Sequence, residues 1–151
     1  MVDIMNNQPI EQKEVFGAFE CVSLPLLKIK NVIAKIDTGA YSGAVHCVNI
    51  KCYVRKSDGK RVLKFSPLSN VNKPVEIEDY TVTNVRTSSG HQMKRYLIDT
   101  DIIIKNKTYK MRIGLSDRSD MDKQILIGRL FLRQNAILVD VNINKEHEKD
   151  F

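Results

Sequence analysis

The sequence has no long hydrophobic run, because no apolar stretch approaches the roughly 20 residues that a membrane-spanning helix needs. Residues 1–14 are polar and partly acidic, which is not the pattern of a secretory signal. Cysteine is scarce, and an odd set of three (Cys21, Cys47 and Cys52) favours reduced thiols that serve as small buried hydrophobes. We therefore expect a soluble cytoplasmic protein with no membrane contact.

Several catalytic and cofactor motifs are also missing. There is no Gly-x-x-x-x-Gly-Lys-Ser/Thr loop for phosphates and no Gly-x-Ser-x-Gly around a nucleophilic serine. His147-Glu148 begins like a zinc-protease helix, but no second histidine follows. The remaining possible ligands lack a recognised metal spacing; they are His46, Cys47, Cys52 and His91. We predict no metal and no cofactor, and we interpret His46 as a hydrogen-bonded structural histidine.

Length and composition favour one ordinary globular domain. The 151 residues suffice for a single core, and 42% hydrophobic with 28% charged residues excludes a disordered or fibrous chain. Lys and Arg number 24 and Asp and Glu 18, so the formal net charge is +6, which favours an anionic partner. Aromatic residues interleave poorly with the basic ones, so we do not expect a nucleic-acid partner.

Short apolar or alternating segments with turn signals between them recur from Val15 onward, which predicts a mainly β fold. The predicted strands are residues 15–24, 29–36, 75–86, 94–104, 108–115, 125–127 and 136–143, with a hairpin over 52–65. Asp58-Gly59 is expected to form the type I′ turn of that hairpin, and residues 129–134 one or two helical turns. The domain is predicted to span 15–143, between a flexible arm (1–14) and a charged tail (144–151).

One segment, Lys35-Ile36-Asp37-Thr38-Gly39-Ala40, stands out chemically. An apolar strand leads to a carboxylate that is followed by a hydroxyl and a glycine. An aspartate that acts as acid and base must be held rigidly; Thr38 can brace the loop and Gly39 allows a close backbone approach. The same residues also occur in ordinary turns after a strand, so both interpretations stay open on this segment alone.

A second segment, Leu126-Ile127-Gly128-Arg129, precedes the predicted short helix. Asp-Thr-Gly-Ala followed by such a run resembles the retroviral-type aspartic proteases, or retropepsins. The chain is more similar still to a bacterial family of small retropepsin-like proteins. These are often labelled ATP-dependent zinc proteases and are associated with an ATP-grasp glutamate ligase that modifies a ribosomal protein. The resemblance covers about residues 15–141; its further points are Ser23-Leu24-Pro25, His46, Ser89-Gly90-His91, Arg95, Asp117-Arg118 and Met121.

The resemblance implies a closed acid-protease barrel with one short helix. It makes Asp37 catalytic, with Thr38 and Gly39 beside it, and Gly128 and Arg129 as support for the site. A single Asp-Thr-Gly implies a homodimer, because the second aspartate of the pair must come from another copy. Residues 87–91 are the candidate flap. Substrate contacts are expected from Ala40, Ser89, Gly90 and His91, although 87–91 is equally compatible with an ordinary hairpin loop.

The sequence departs from the family pattern directly after Ala40. Relatives have Arg-Thr-Ser there, whereas this chain has Tyr41-Ser42-Gly43. Viral enzymes place an acid after the alanine, and that acid pairs with the arginine of the Gly-Arg motif. Tyr41 cannot form such an ion pair, so Arg129 needs another partner.

The predicted function is that of a retropepsin-like aspartic endopeptidase with paired Asp37 residues, and acidic glutamate-modified tails are candidate substrates. Two alternatives stay open at this stage. One is an inactive barrel that binds acidic peptide or a ribosomal partner, and the other is a metal-dependent peptidase, as the family label suggests.

Overall fold

The computed structural model describes residues 4–5, 8–9, 13–86 and 88–148. The strands are β1 (Ile4–Met5), β2 (Gln8–Pro9), β3 (Val15–Gly17), β4 (Phe19–Leu24), β5 (Ile29–Ile36), β6 (Gly43–Val54), β7 (Arg61–Pro67), β8 (Val75–Ile77), β9 (Thr81–Arg86), β10 (Gln92–Ile104), β11 (Lys107–Ser116), β12 (Ile125–Ile127) and β13 (Leu138–Asp140). Within the described residues there is one α-helix, α1 (Arg129–Gln134), and 3₁₀ helices occur at Pro25–Leu27 and Lys145–His147.

Six of the strands close into a barrel in the order β11–β10–β4–β5–β12–β6. Closure comes from a parallel pair between β6 and β11, in which Gly43 lies opposite Ile113 and His46 opposite Ser116. The other parallel pair of the barrel is that of β12 and β5, while β12 lies antiparallel to β6. The predicted mainly β, closed retropepsin-like barrel with one short helix is therefore confirmed.

Two barrel strands, β6 and β10, extend beyond the barrel and pair there with strands outside it. The far half of β6 pairs with β7, which in turn pairs with β8. The first half of β10 pairs with β9, so that β9 and β10 form a hairpin that extends from the barrel. β3 and β13 form a separate parallel pair. The hairpin of β9 and β10 and the sheet of β6, β7 and β8 therefore both extend outside the barrel.

Alternation along the strands builds the core. On β11, Met111 and Ile113 are buried while Lys110 and Arg112 are exposed, as predicted for a half-buried strand. The same alternation on β10 points several side chains into the barrel; they are Ile98, Thr100, Ile102 and Ile104. The apolar faces of the strands therefore fill the interior and leave the charged faces to solvent.

The predicted strand over 15–24 is two strands, because the chain changes partners at Ala18. β3 pairs with β13, whereas β4 enters the barrel. At the break, the Ala18 N–H donates to the Ile143 carbonyl oxygen at 2.8 Å. A Cβ on Gly17 would lie 2.5 Å from that same oxygen, so the close approach needs glycine here.

The predicted hairpin over 52–65 is confirmed as a strand pair, but its predicted turn is wrong. A type I′ turn needs positive φ at both central residues, and of the pair Asp58-Gly59 only Gly59 has it, at 72°. The strands instead end at Val54 and restart at Arg61. The Asp58 carboxylate accepts the Lys60 N–H at 3.0 Å and is ion-paired with Arg55, which closes a longer loop.

Two other predicted strands are shorter than expected. The segment 75–86 is split, because β8 pairs with β7 while β9 pairs with β10. The last strand covers only Leu138–Asp140 of the predicted 136–143. Within the predicted tail, the Asn144 side chain donates to the Phe19 carbonyl oxygen at 2.8 Å. Much of the predicted arm 1–14 lies outside the described residues.

Candidate active site

Asp37 lies at the end of β5, where two parallel strands stop side by side. Ile36 is buried in the barrel wall opposite Ile127 of β12. The next residue leaves the barrel, and the Asp37 N–H donates to the Ile127 carbonyl oxygen at 2.8 Å. The register of these two strands therefore fixes the backbone that carries the half-buried Asp37 carboxylate.

The loop after Asp37 orients one of its carboxylate oxygens. The Gly39 N–H donates to Asp37 Oδ1 at 2.9 Å, and the Ala40 N–H donates to the Asp37 carbonyl oxygen at 3.3 Å. Thr38 is exposed, and its hydroxyl has no hydrogen-bond partner among the described residues. The carboxylate is thus held through one oxygen, while its other oxygen and the Thr38 hydroxyl stay available.

The start of α1 supports this loop from below. The first N–H groups of a helix have no partner inside the helix. Here the N–H of Arg129 donates to the Ala40 carbonyl oxygen at 2.8 Å, and that of Leu130 donates to the Tyr41 carbonyl oxygen at 3.0 Å. A Cβ on Gly128 would lie 2.7 Å from the same Tyr41 oxygen. Glycine at 128 therefore lets the helix start touch the loop backbone.

The Arg129 side chain bonds to the loop as well. Its Nη1 donates to the Gly39 carbonyl oxygen at 3.0 Å, and its guanidinium lies over the Tyr41 ring, 5.3 Å from the centroid. In place of the acid that viral enzymes have after the alanine, Arg129 thus contacts a backbone carbonyl oxygen and an aromatic ring. The structure brings together the segment from Asp37 to Tyr41 with Gly128 and Arg129.

Another wall of the site is the loop between β11 and β12, which His46 holds from inside. His46 is fully buried, and its Nδ1 accepts the Arg118 N–H at 2.7 Å. Its Nε2 lies 2.5 Å from Ser69 Oγ. The prediction of a hydrogen-bonded structural histidine is consistent with this geometry, which ties the interior of the barrel to the loop backbone.

Ser69, His46 and Asp117 look like a nucleophilic triad, but the hydrogen bonds give them other roles. Asp117 Oδ1 lies 3.6 Å from His46 Nδ1. Because that nitrogen accepts a backbone N–H, its lone pair is in use and the proton of the neutral ring lies on Nε2. Nε2 therefore donates to Ser69 and cannot take its proton. The Ser119 hydroxyl and N–H, which bond to Asp117, hold the pKa of that carboxyl below its usual range.

Arg118 is the residue of this loop whose pKa is affected by the Asp37 carboxylate. Its Nε and Nη2 donate to the Lys123 carbonyl oxygen at 3.3 and 3.2 Å. Burial lowers the pKa of Arg118, and the nearby Asp37 carboxylate opposes that shift. Sequence reasoning included Arg118 as a point of family resemblance but gave it no role, because nothing in the local pattern relates it to Asp37.

The candidate flap is the hairpin of β9 and β10. Its tip contains Ser89, Gly90 and His91, all exposed, and Gly90 has a φ of 86° that favours glycine. Thr87, the first residue of the predicted flap, lies outside the described residues. At the base of the hairpin, Arg95 Nη2 donates to the Gly43 carbonyl oxygen at 3.3 Å. The base of the hairpin is therefore hydrogen-bonded to the first residue of β6, shortly after the Asp37 loop.

The possible metal ligands and the cysteines are spread over the fold. Among the residues that the structure describes, no three His, Cys, Asp or Glu side chains come together in a group that could hold a metal. The three cysteines are unpaired. Cys47 is buried as predicted, whereas Cys52 is half-buried and Cys21 is exposed, because Cys21 lies on the outward face of β4.

No helix among the described residues is long and apolar enough to cross a membrane. The described charged surface includes both signs, and two of its ion pairs join neighbouring strands. Arg112 pairs with Asp99 and Lys110 with Asp101 in this way. These pairs lie on the outer face of β10 and β11.

Comparison with known proteins supports the same fold. Residues 15–149 match the model of a family described as RimB-like, retropepsin-like aspartic endopeptidase RimB. A crystal structure of a Legionella pneumophila protein of unknown function is 24% identical and superposes with a TM-score of 0.67, covering 89% of this chain and 98% of that one. At this identity the superposition carries the fold alone.

Curated relatives are longer proteins. Proteins named probable alpha-L-glutamate ligase from Shewanella pealeana and Desulfotalea psychrophila are 27% and 28% identical over 133 and 136 residues. The matches cover 86% and 83% of this chain but only 29% and 28% of those proteins. The chain thus spans less than a third of the length of the curated relatives it matches.

Proposed function

Because the chain belongs to the RimB-like family of retropepsin-like aspartic endopeptidases, we propose that it hydrolyses peptide bonds with two Asp37 carboxylates, one from each subunit of a homodimer. The observation that carries the proposal is the Asp37 loop. The Asp37 N–H donates to Ile127 and the first N–H groups of α1 donate to the loop, which fixes it, and one carboxylate oxygen is left free of the loop's own bonds. Such a rigid, half-buried carboxylate suits acid–base chemistry.

The reaction follows from two carboxylates that share one proton. Like charges a few ångströms apart cannot both ionise, so one carboxyl is the acid and the other the base. The ionised Asp37 takes a proton from a water molecule as the water oxygen bonds to the peptide carbonyl carbon. The protonated Asp37 gives its proton to the carbonyl oxygen. The tetrahedral intermediate then breaks at the C–N bond. The carboxyl that took the water proton gives it to the leaving amine, and the other carboxylate takes a hydroxyl proton from the intermediate, so that the pair again shares one proton.

A second subunit supplies what one chain lacks. The sequence has a single Asp-Thr-Gly, and the Thr38 hydroxyl beside Asp37 has no partner among the described residues. A two-fold axis at the end of β5 would bring two Asp37 and two Thr38 together. Gly128 and Arg129 then support each loop from below, while Ala40, Ser89, Gly90 and His91 contact the substrate backbone.

The substrate that we propose is an acidic, glutamate-bearing peptide. The formal net charge of +6 favours an anionic partner. The matched relatives are named as glutamate ligases, so a related chain acting on glutamate-bearing peptide is chemically coherent. Three unpaired cysteines suit a reducing compartment, and we place the reaction in the cytoplasm.

The test is cleavage of a peptide mixture that includes glutamate-tailed peptides, measured between pH 4 and 8 in the presence of a chelator. Wild-type protein is compared with Asp37→Asn, which keeps the shape of the side chain but removes its acid–base capacity. We expect cleavage that survives the chelator and is lost in Asp37→Asn. Equal cleavage by both proteins would contradict the proposal. Loss in the chelator alone would favour a metal-dependent peptidase, and binding without cleavage would favour a binding module.

A further inference from the structure

Three arginines near the Asp37 loop lack an acidic partner. On the outer surface, Arg55 and Arg112 pair with carboxylates. Near the site, no carboxylate lies within ion-pair distance of a guanidinium among the described residues. Each guanidinium instead donates to a backbone carbonyl oxygen: Arg95 to that of Gly43, Arg118 to that of Lys123 and Arg129 to that of Gly39. Asp37 and Asp120 act on Arg118 from beyond ion-pair distance, so none of the three arginines is held in an ion pair by the site's own side chains.

Among the three, Arg118 is the one whose guanidinium is anchored twice and still has an unused end. A guanidinium has five N–H groups. Arg118 uses Nε and Nη2 on one and the same oxygen, that of Lys123, which leaves Nη1 without a partner in the described chain. The side chain is only partly exposed, so a charged hydrogen bond that it makes is weakly screened by solvent.

The backbone of Arg118 is fixed on both sides. Its N–H donates to the buried His46 ring at 2.7 Å, and its carbonyl oxygen accepts the Met121 N–H at 2.9 Å. Burying a polar ring costs free energy of folding unless its nitrogens form hydrogen bonds. His46 meets that condition by holding the Arg118 N–H and Ser69 Oγ. The guanidinium therefore extends from a rigid position rather than from a free loop.

We propose that Arg118 binds a carboxylate of the substrate next to the bond that Asp37 cleaves, and that His46 is a positioning residue that fixes Arg118 for this contact. The inference rests on the proposed function, because it assigns the recognition of acidic residues to one side chain of the same site. In a homodimer the site contains two copies of Arg118. The two-fold axis then places one such cation on each side of the scissile bond.

The first test compares two peptides that differ only by glutamate or glutamine next to the cleaved bond. Wild type and Arg118→Gln are assayed on both, with the exposed Arg133→Gln as the matched control. We expect Arg118→Gln to lower kcat/KM for the glutamate peptide on the order of ten- to hundredfold, and to change the glutamine peptide much less. The control should behave as wild type. An equal loss on both peptides would overturn the assignment.

A second pair of variants tests the positioning role of His46. An asparagine Oδ1 can accept the Arg118 N–H in place of Nδ1, whereas alanine cannot. We expect His46→Asn to keep most of the preference for the glutamate peptide and His46→Ala to lose it. The comparison is made at a temperature where melting curves show both variants folded. A merely structural role would lower stability and leave the preference unchanged, which would contradict the proposal.

A binding measurement separates this inference from the hydrolysis itself. A fluorescent glutamate peptide is titrated with Asp37→Asn and with the double variant Asp37→Asn/Arg118→Gln, at low and high salt. Weaker binding by the double variant, with a smaller salt dependence, supports Arg118 even if wild type cleaves nothing. If wild type cleaves but the two variants bind alike at both salt concentrations, hydrolysis stands and the role of Arg118 is refuted.

Discussion

The guanidinium of Arg129 lies over the ring of Tyr41, 5.3 Å from its centroid, while its Nη1 donates to the Gly39 carbonyl oxygen. Tyr41 cannot form an ion pair, and it contacts the Arg129 guanidinium through the face of its ring instead. The loop that carries Asp37 is fixed by Arg129 without adding a negative charge to the site. This arrangement fits a site that receives an acidic substrate.

The Arg129–Tyr41 contact predicts a measurable coupling. We expect the double-mutant cycle of Tyr41→Ala and Arg129→Gln to give an interaction free energy of about 0.5–1 kcal/mol, the range of exposed cation–π pairs. Urea unfolding of wild type, both single variants and the double variant measures it. Strictly additive effects would show that the ring contributes nothing to holding the arginine.

Close packing under the loop predicts a strong effect of a single methyl group at position 128. The Cβ of Gly128→Ala would lie 2.7 Å from backbone atoms of Tyr41 and Ser42, and backbone atoms yield less readily than a side-chain end. We expect a loss of about 1–3 kcal/mol in the free energy of unfolding, together with a loss of activity.

The matched variant for this prediction is Gly59→Ala, whose added Cβ meets no atom within 4 Å. Its φ of 72° costs about 1 kcal/mol, and the variant should stay active. The two are compared by denaturant unfolding and by peptide cleavage. If both lose the same stability and both stay active, the close approach at Gly128 is not what supports the site.

The sequence predicts correctly those features that depend on residues close together in the chain. Alternation on β11 predicts correctly that Met111 faces inward and Arg112 outward, because the side chains of a strand follow a period of two. The strand–Asp-Thr-Gly order also predicts correctly that Asp37 directly follows a strand. The breaks in the predicted strands lie where a distant segment intervenes, as at Ala18, whose N–H bonds to Ile143.

The features of the site that the sequence did not reveal are non-local. Arg118 lies near Asp37 because its loop leads into β12, which pairs with β5, and because its N–H bonds to the buried His46 ring. The Asp58-Gly59 turn was predicted wrongly because the carboxylate of Asp58 is engaged by Arg55 and the Lys60 N–H. Side-chain bonds of this kind compete with the backbone preference that the turn motif expresses.

Burial of Cys47 predicts a pH dependence of stability. Burial raises the pKa of this thiol from 9.0 to about 12. Below pH 9 the thiol is protonated in both states, so it adds no dependence. Above pH 9 the unfolded chain loses this proton while the native state keeps it. The free energy of unfolding therefore falls as the pH rises toward 12.

The measurement for Cys47 is the melting temperature between pH 8 and 10.5. We expect the decline of wild type above pH 9 to be shallower in Cys47→Ala, and unchanged in Cys21→Ala, whose thiol is exposed. Identical slopes in all three proteins would show that the Cys47 thiol does not contribute to the alkaline loss of stability.

The most direct test of the central claim is a subunit-mixing experiment with Asp37→Asn. Wild type and variant are unfolded together in equal amounts, refolded, and assayed on a peptide that wild type cleaves; mixing with Arg133→Gln is the control. If each active site needs an Asp37 from both subunits, activity falls to about a quarter of that of the wild type, because only that share of dimers has both. Activity of about one half would mean that each chain works alone and would contradict the account.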